Sequence, residues 1–175
     1  MNLEPVYRVE QLEPFTPQIG HLVSQMNYAR QTTLRDVQDL SVEQLDYLIH
    51  PKANSVGMLL EHMAAVEVWY QLNTFEKRQH NEEEIERWTP GSELGDYGRE
   101  KIRENDIDYY LTQLNAIRTQ TLRELAKRGD DWLYEEEEWS VGRVNNYWKW
   151  FHVFEDELSH RGQIRLIINS ISKRR

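Results

Sequence analysis

Four long segments of the chain repeat apolar residues at the three- and four-residue spacing of an α-helix, and this periodicity limits the possible folds more than any other feature. The segments cover about residues 19–37, 54–75, 105–129 and 145–168. Strand-like alternation of apolar and polar residues is scarce. The sequence therefore predicts an all-α fold, namely a four-helix bundle with a long crossover connection between the second and third helices.

The segments outside these helices predict the domain organisation. Residues 1–17 contain three prolines and are predicted to form an extended lead-in. Residues 76–104 combine an acidic run with a proline and several glycines, so we expect a long connection without regular structure. A second irregular connection is predicted at 132–139, which is rich in glutamate. Because the length suits one core, residues 1–175 are expected to form a single domain.

The composition excludes several classes of site and partner. The chain has no cysteine, which excludes disulfides, thiolate metal sites and cysteine nucleophiles. Its formal charge of −9 disfavours nucleic acid as a partner, because phosphate backbones are bound by clustered lysine and arginine. No apolar run approaches the roughly 20 residues of a membrane span, and the N-terminal residues do not resemble a signal peptide. We therefore expect a cytoplasmic protein with no membrane partner.

The fourth predicted helix carries potential metal ligands. His152, Asp156 and His160 follow one another at four-residue intervals, which places them on one stripe of the helix. Imidazole and carboxylate groups at this spacing are a common way for a helix to offer two ligands to one divalent ion. A further ligand must come from another helix, and His62 lies on the predicted inward face of the second helix.

Helix geometry leaves two possible ligand sets. His152 and His160 are separated by a rise of about 12 Å, too far to share one ion whose ligands lie about 2 Å away. Neighbouring members of the stripe are separated by about 6 Å, which side chains can bridge. The ion is therefore predicted to be held by His62 and Asp156 together with either His152 or His160, and periodicity does not distinguish these alternatives.

Three sequence motifs resemble those of the DinB-like (YfiT-like) superfamily. They are the approach to His62 over residues 53–62, the following segment 65–69, and the closing His160-Arg161-Gly162-Gln163. The resemblance covers most of the chain and implies a metal-binding four-helix bundle in which His62 and His160 are ligands. The family typically has histidine four residues before His160, where this chain has Asp156. His152 matches a further upstream histidine, which would orient a ligand or support the structure.

The resemblance also implies a cofactor and an activity. Carboxylate and imidazole ligands suit Zn, Ni, Mn or Fe, so the site is expected to hold a divalent metal ion of one of these kinds. Characterised relatives use low-molecular-weight thiols such as bacillithiol or mycothiol, which implies a thiol S-transferase, with metal-dependent hydrolysis as a second reaction. The alternative is a non-catalytic stress-response or interaction protein with a degenerate or empty metal site. In either case a homodimer is expected, because the helices are rich in aromatic residues.

Several other residues near the stripe have simpler interpretations. Glu155 and Glu157 lie off the metal stripe and are predicted to face solvent, although one of them could orient a histidine ligand. His21, His50 and His80 fall outside the constellation and are interpreted as structural. Tryptophans are usually core residues, but four of them are candidates for a wall beside the metal: Trp69, Trp88, Trp148 and Trp150.

Overall fold

The structure is a computed structural model that describes residues 7–173, and it confirms the all-α prediction. Residues 1–6 of the predicted lead-in lie outside the described part. None of the described helices combines the length and the apolar character that a bilayer-spanning segment requires. The α-helices of residues 7–173 are α1 Pro17–Val37, α2 Val42–Leu45, α3 Val56–Gln71, α4 Glu82–Glu93, α5 Gly95–Lys101, α6 Ile107–Leu125 and α7 Asn146–Ser172.

Three of the four long helices, α3, α6 and α7, begin at a polar residue whose side chain accepts a hydrogen bond from the first turn. The Ser55 hydroxyl accepts from the backbone N–H of Met58 at 3.2 Å, so Ser55 rather than Asn54 caps α3. Asn145 caps α7 in the same way. Such caps satisfy N–H groups that have no partner within the helix, which explains why both helices start where the sequence predicts.

The four long helices pack on one another around two clusters of buried apolar side chains. The α1 helix contacts α6 and α7, and α3 contacts α6 and α7. Most residues of α3 are buried, so this helix lies at the centre of the protein. One cluster includes Val37, Leu59, Leu60, Tyr110 and Ile164, and the other includes Ile19, Met26, Leu125, Trp150 and Val153.

The prediction of an irregular connection at 76–104 is wrong, because these residues contain the helices α4 and α5. The α4 helix starts with a capping box in which the Asn81 side chain accepts from Glu84 N–H and the Glu84 carboxylate accepts from Asn81 N–H. Pro90 lies inside α4, where its missing N–H leaves one helical hydrogen bond unmade. The local capping and the packing of α4 on α3 outweigh this loss.

The second predicted irregular connection, at 132–139, is also regular in the structure. A 3₁₀ turn at Asp130–Tyr134 leads into a two-stranded antiparallel hairpin, β1 Glu136–Trp139 and β2 Gly142–Asn145. Gly142 has a φ of 113°, a conformation open to glycine at the end of the two-residue loop. The buried Lys149 of α7 holds the hairpin, because its Nζ lies 2.6 Å from Glu137 Oε2.

Four charged side chains form a buried network that joins all four long helices. Arg30 of α1 donates from Nε to both carboxylate oxygens of Glu157, at 3.0 and 3.1 Å, and from Nη2 to Glu67 at 3.0 Å. Arg118 of α6 donates to Glu67 at 2.7 and 3.1 Å. Glu157 is only 1 % exposed, so the prediction that it faces solvent is wrong. The reason is that the two arginines supply enough charge and enough donors to bury it.

The network also holds Glu67 in its ionised form. Burial alone raises the pKa of Glu67, but the charges of Arg118 and Arg30 lower it further than burial raises it. The hydrogen bond that the Thr121 hydroxyl donates at 2.7 Å adds to this effect. The pKa of Glu67 consequently falls from 4.5 to about 2. The two glutamates and two arginines therefore balance in charge, as buried ionised groups require.

Candidate metal centre

Three of the predicted ligands converge between α3 and α7. One potential ligand atom from each of His62, Asp156 and His160 lies within 4.8 Å of those from the other two. The α3 helix supplies His62, and successive turns of α7 supply Asp156 and His160. The structure therefore brings together one of the two ligand sets that helix geometry allowed, the set with His160.

The geometry of the cluster suits a small cation. His62 Nε2 lies 3.6 Å from Asp156 Oδ2, and His160 Nε2 lies 3.3 Å from Asp156 Oδ1. The two imidazole rings meet edge to face with their centroids 4.7 Å apart. The side chains are 14–16 % exposed, so the cluster is largely enclosed but still reaches solvent.

The backbone of α4 fixes the orientation of the His62 ring. His62 Nδ1 lies 2.8 Å from the carbonyl oxygen of Gly91. Because a carbonyl oxygen only accepts, Nδ1 carries a proton, and in the neutral ring Nε2 keeps the lone pair that a metal ion needs. Hydrogen bonds of this kind, from the second ring nitrogen to a carbonyl, are typical of histidines that bind metals.

Gly91 is a residue of the candidate site that sequence reasoning missed. It lies in the last turn of α4, where carbonyl oxygens have no partner within the helix and are free to accept from a side chain. A Cβ at this position would lie 3.0 Å from the backbone oxygen of Glu61, so only glycine lets α4 approach α3 this closely. The only signal in the sequence was the Pro90-Gly91 pair. This pair suggests a turn, but it does not reveal that His62 is the partner of Gly91.

The electrostatics of the cluster keep Asp156 ionised. Burial raises its pKa, but interactions with His160 and His62 lower it more, and the pKa of Asp156 is held well below its usual range. Burial lowers the pKa of His62, whereas Asp156 and the Gly91 carbonyl raise it, and the net result is a raised pKa. The cluster thus combines one carboxylate with two imidazoles, a donor set that suits divalent ions such as zinc.

An unpaired buried oxygen of the cluster supports the fit to a cation. Asp156 Oδ2 and His160 Nδ1 have no hydrogen-bond partner among the residues that the structure describes. Buried polar atoms are normally paired, and an unpaired one calls for an explanation such as an ion. A cation held between the two histidines and Asp156 would satisfy the carboxylate oxygen.

His152, the alternative ligand, lies outside the cluster. Its Nδ1 is 2.9 Å from Glu155 Oε2, and its ring stacks on Trp148. Of the four tryptophans proposed as a wall, Trp69 and Trp148 both contact Trp139. Trp150 is fully buried in the core, and Trp88 packs against the first apolar cluster.

We expect Gly91→Ala to weaken metal binding. The added Cβ would force α4 away from Glu61 by a few tenths of an ångström and would lengthen the bond to His62 Nδ1. Loss of such an orienting bond typically lowers metal affinity by about 10–100-fold, which isothermal titration with Zn²⁺ can measure. Gly129→Ala is the matched control, since nothing lies within 4 Å of its added Cβ. Equal affinities of the two variants would contradict the role of Gly91.

Metal affinity is also expected to depend on pH in a defined direction. The pKa of His62 lies above its usual value of 6.5, and the protonated imidazole cannot bind an ion. Affinity should therefore fall by about tenfold per pH unit, for one displaced proton, once the pH drops below this pKa. The stability of the metal-free fold should change with pH in the opposite direction. It should be greater at low pH, because a raised histidine pKa favours the folded state there. Titrations between about pH 5.5 and pH 8 that showed constant affinity would refute the prediction.

The helical fold and the His–carboxylate–His cluster together define a helical protein with a potential three-ligand divalent-metal site, a class to which the DinB-like proteins belong. A family model described as mycothiol-S-transferase matches residues 21–172. The chain therefore belongs to the mycothiol S-transferase family, which is DinB-like, and the resemblance seen in the sequence is confirmed.

Comparison with solved structures supports the fold. A conserved protein from Enterococcus faecalis superimposes with a TM-score of 0.59 over 83 % of this chain and 92 % of that chain. The two sequences are 13 % identical, so this likeness concerns the fold alone. A comparison with curated proteins found no match.

Proposed function

We propose that this protein is a divalent-metal-dependent S-transferase that joins a low-molecular-weight thiol to a small electrophile. His62, Asp156 and His160 would hold the ion. The observation that carries the proposal is the convergence of these three residues within 4.8 Å in a chain of the mycothiol S-transferase family. The bond from His62 to Gly91 supports it, because it leaves Nε2 free to bind metal.

The ligand set leaves room for a substrate on the ion. Two nitrogen donors and one carboxylate suit Zn, Ni, Mn or Fe, and three protein ligands are the usual number in catalytic zinc sites. A bound divalent ion would supply Lewis acidity that favours the thiolate over the thiol at neutral pH. The side chains provide no thiolate of their own, since the chain has no cysteine.

The residues of the chain bind and orient the reactants. The ionised Asp156 supplies negative charge, and the Gly91 carbonyl keeps the His62 ring in place. In the reaction, the thiol sulfur forms a bond to the electrophilic carbon and the thiol proton passes to solvent. The leaving group departs from that carbon with its bonding electron pair. Partial enclosure of the cluster limits access of water to the reacting atoms.

Several finer points belong to this proposal. The family name favours mycothiol as the thiol. Metal-dependent hydrolysis stays the second candidate reaction from the sequence. The contacts among α1, α3, α6 and α7 favour the four-helix-bundle arrangement. The homodimer and the cytoplasmic location stay predictions, which light scattering and cell fractionation can test.

Removal and return of the metal test the proposed function. The purified protein is expected to hold about one ion per chain by elemental analysis and to accelerate transfer of mycothiol to iodoacetamide. Treatment with a chelator should abolish this acceleration, and added Zn²⁺, Ni²⁺, Mn²⁺ or Fe²⁺ should restore it. A folded protein that binds none of these ions and accelerates no transfer would instead support the non-catalytic alternative.

A further inference from the structure

A row of aromatic side chains extends from the candidate metal centre towards the hairpin. The rings of His152 and Trp148 stack with centroids 5.1 Å apart and planes 9° apart. Trp139 contacts Trp148 at 6.0 Å and Trp69 at 5.6 Å, both nearly edge to face. We call His152, Trp148, Trp139 and Trp69 the aromatic row. His152 and Trp148 precede Asp156 on α7 by a helix rise of about 6 Å and about 12 Å.

The hairpin holds the aromatic row in place. Trp139 lies on β1, and the buried Lys149 of α7 binds Glu137 on the same strand at 2.6 Å. Lys149 Nζ also lies 5.2 Å from the centre of the Trp139 ring. Trp139 thus bridges α3, through Trp69, and α7, through Trp148. A surface that is fixed before binding loses little conformational entropy when a ligand arrives.

The aromatic row is open to solvent. Trp148 is 43 % exposed, and the His152 side chain is partly exposed. Exposed indole and imidazole rings that lie side by side form an apolar surface larger than single exposed residues do. Because His152 lies one turn from Asp156 on the same stripe of α7, a molecule that packs across the row would extend towards a thiol held at the metal centre.

The charges around the aromatic row indicate which ligand it favours. Lys149, whose Nζ lies beside the Trp139 ring, is paired with Glu137, and Glu155 is bonded to His152. Because these charged groups already have partners, the row offers no free charge to a charged ligand. Aromatic rings attract other flat π-systems through stacking and edge-to-face contacts. A neutral, flat molecule meets these conditions best.

We propose that the aromatic row binds the electrophilic substrate and that this substrate is a neutral aromatic or conjugated compound. The inference rests on the proposed function, because it places the electrophile beside the thiol. Trp148 is the main specificity-determining residue, since its ring is the most exposed member of the row that belongs to α7. Compact aliphatic electrophiles would react at the metal centre without contacting Trp148.

Trp148→Ala tests the inference, with Leu166→Ala as a control on the same helix. Leu166 is 67 % exposed and lies beyond the metal ligands on α7, away from the row. Equilibrium dialysis of 1,3-dinitrobenzene, a flat neutral probe without a leaving group, should show saturable binding to the Zn²⁺-loaded protein and to Leu166→Ala. The dissociation constant for Trp148→Ala should be higher by at least about tenfold. Trp148→Phe should retain most of the affinity.

Transfer kinetics provide the second measurement. With mycothiol as the thiol, Trp148→Ala should raise the KM for 1-chloro-2,4-dinitrobenzene by about tenfold and leave that for iodoacetamide unchanged. If the protein bound the probe saturably but transferred no thiol, this result would contradict the proposed function. It would not contradict binding by the aromatic row. Transfer to iodoacetamide without probe binding, or equal binding by Trp148→Ala and the wild type, would overturn the inference about the aromatic row.

Discussion

Replacing Glu67 with methionine is expected to lower the free energy of unfolding by about 3–5 kcal/mol. Methionine fills a similar volume but leaves the buried guanidinium of Arg118 without its main carboxylate partner, which now lies at 2.7 Å. It also removes the acceptor for Arg30 Nη2 and for the Thr121 hydroxyl. Urea unfolding followed by circular dichroism measures the loss. Glu100→Ala, which removes an exposed pair with Lys101, should leave the unfolding midpoint nearly unchanged.

A double variant distinguishes the charge from the packing of Glu67. Glu67→Met together with Arg118→Met leaves Arg30 and Glu157 as a balanced pair, joined at 3.0 and 3.1 Å. Because no buried charge then stays unpaired, the double variant should be more stable than Glu67→Met alone. If Arg118→Met instead lowered the free energy of unfolding further, the explanation based on an unpaired charge would be wrong.

The His160→Ala variant is expected to lose more than about 100-fold in metal affinity, because a direct ligand matters more than the residues that orient it. Transfer of mycothiol should fall to the rate of the reaction without protein. The metal-free variant should fold but be less stable than the wild type, because the partly buried Asp156 carboxylate keeps only His62 as a partner in the cluster. Zinc titration, steady-state kinetics and thermal unfolding check these three expectations.

His21→Ala is the control for His160→Ala. His21 is exposed on α1 and lies outside the cluster, so metal affinity and transfer should stay at wild-type levels. Loss of transfer in His160→Ala with normal metal affinity would remove His160 from the ligand set. Loss of folding in that variant would instead show that the histidine stabilises the interface between α3 and α7.

The long helices and the converging residues were predictable because both depend on helix periodicity. Apolar spacing located α1, α3, α6 and α7, and polar capping residues located two of their starts. The four-residue interval between Asp156 and His160 placed both on one stripe of α7. Periodicity alone could not choose between His152 and His160, because each lies one turn from Asp156 on the same stripe.

The unpredicted parts depend on contacts between segments distant in sequence. Residues 76–104 look irregular because Pro90 and Gly91 are poor helix formers, yet the Asn81 cap and packing on α3 stabilise α4. Gly91 is functional only through its approach to His62, 29 residues earlier. Glu157 looks solvent-facing until Arg30, 127 residues away, neutralises it. Neither partner can be identified from local spacing.

The adjacent residues Asp156 and Glu157 have a joint consequence for α7. Successive residues on a helix point about 100° apart, so one carboxylate reaches the histidines while the next reaches Arg30. If α7 slipped by one residue, the longer glutamate would enter the cluster and the guanidinium would lose its partner. Each of these two changes would destabilise the fold, and a slip would cause both at once. The two carboxylates, which differ in length, thus fix the rotation of α7 about its own axis. The geometry of the ligands is therefore set when the chain folds.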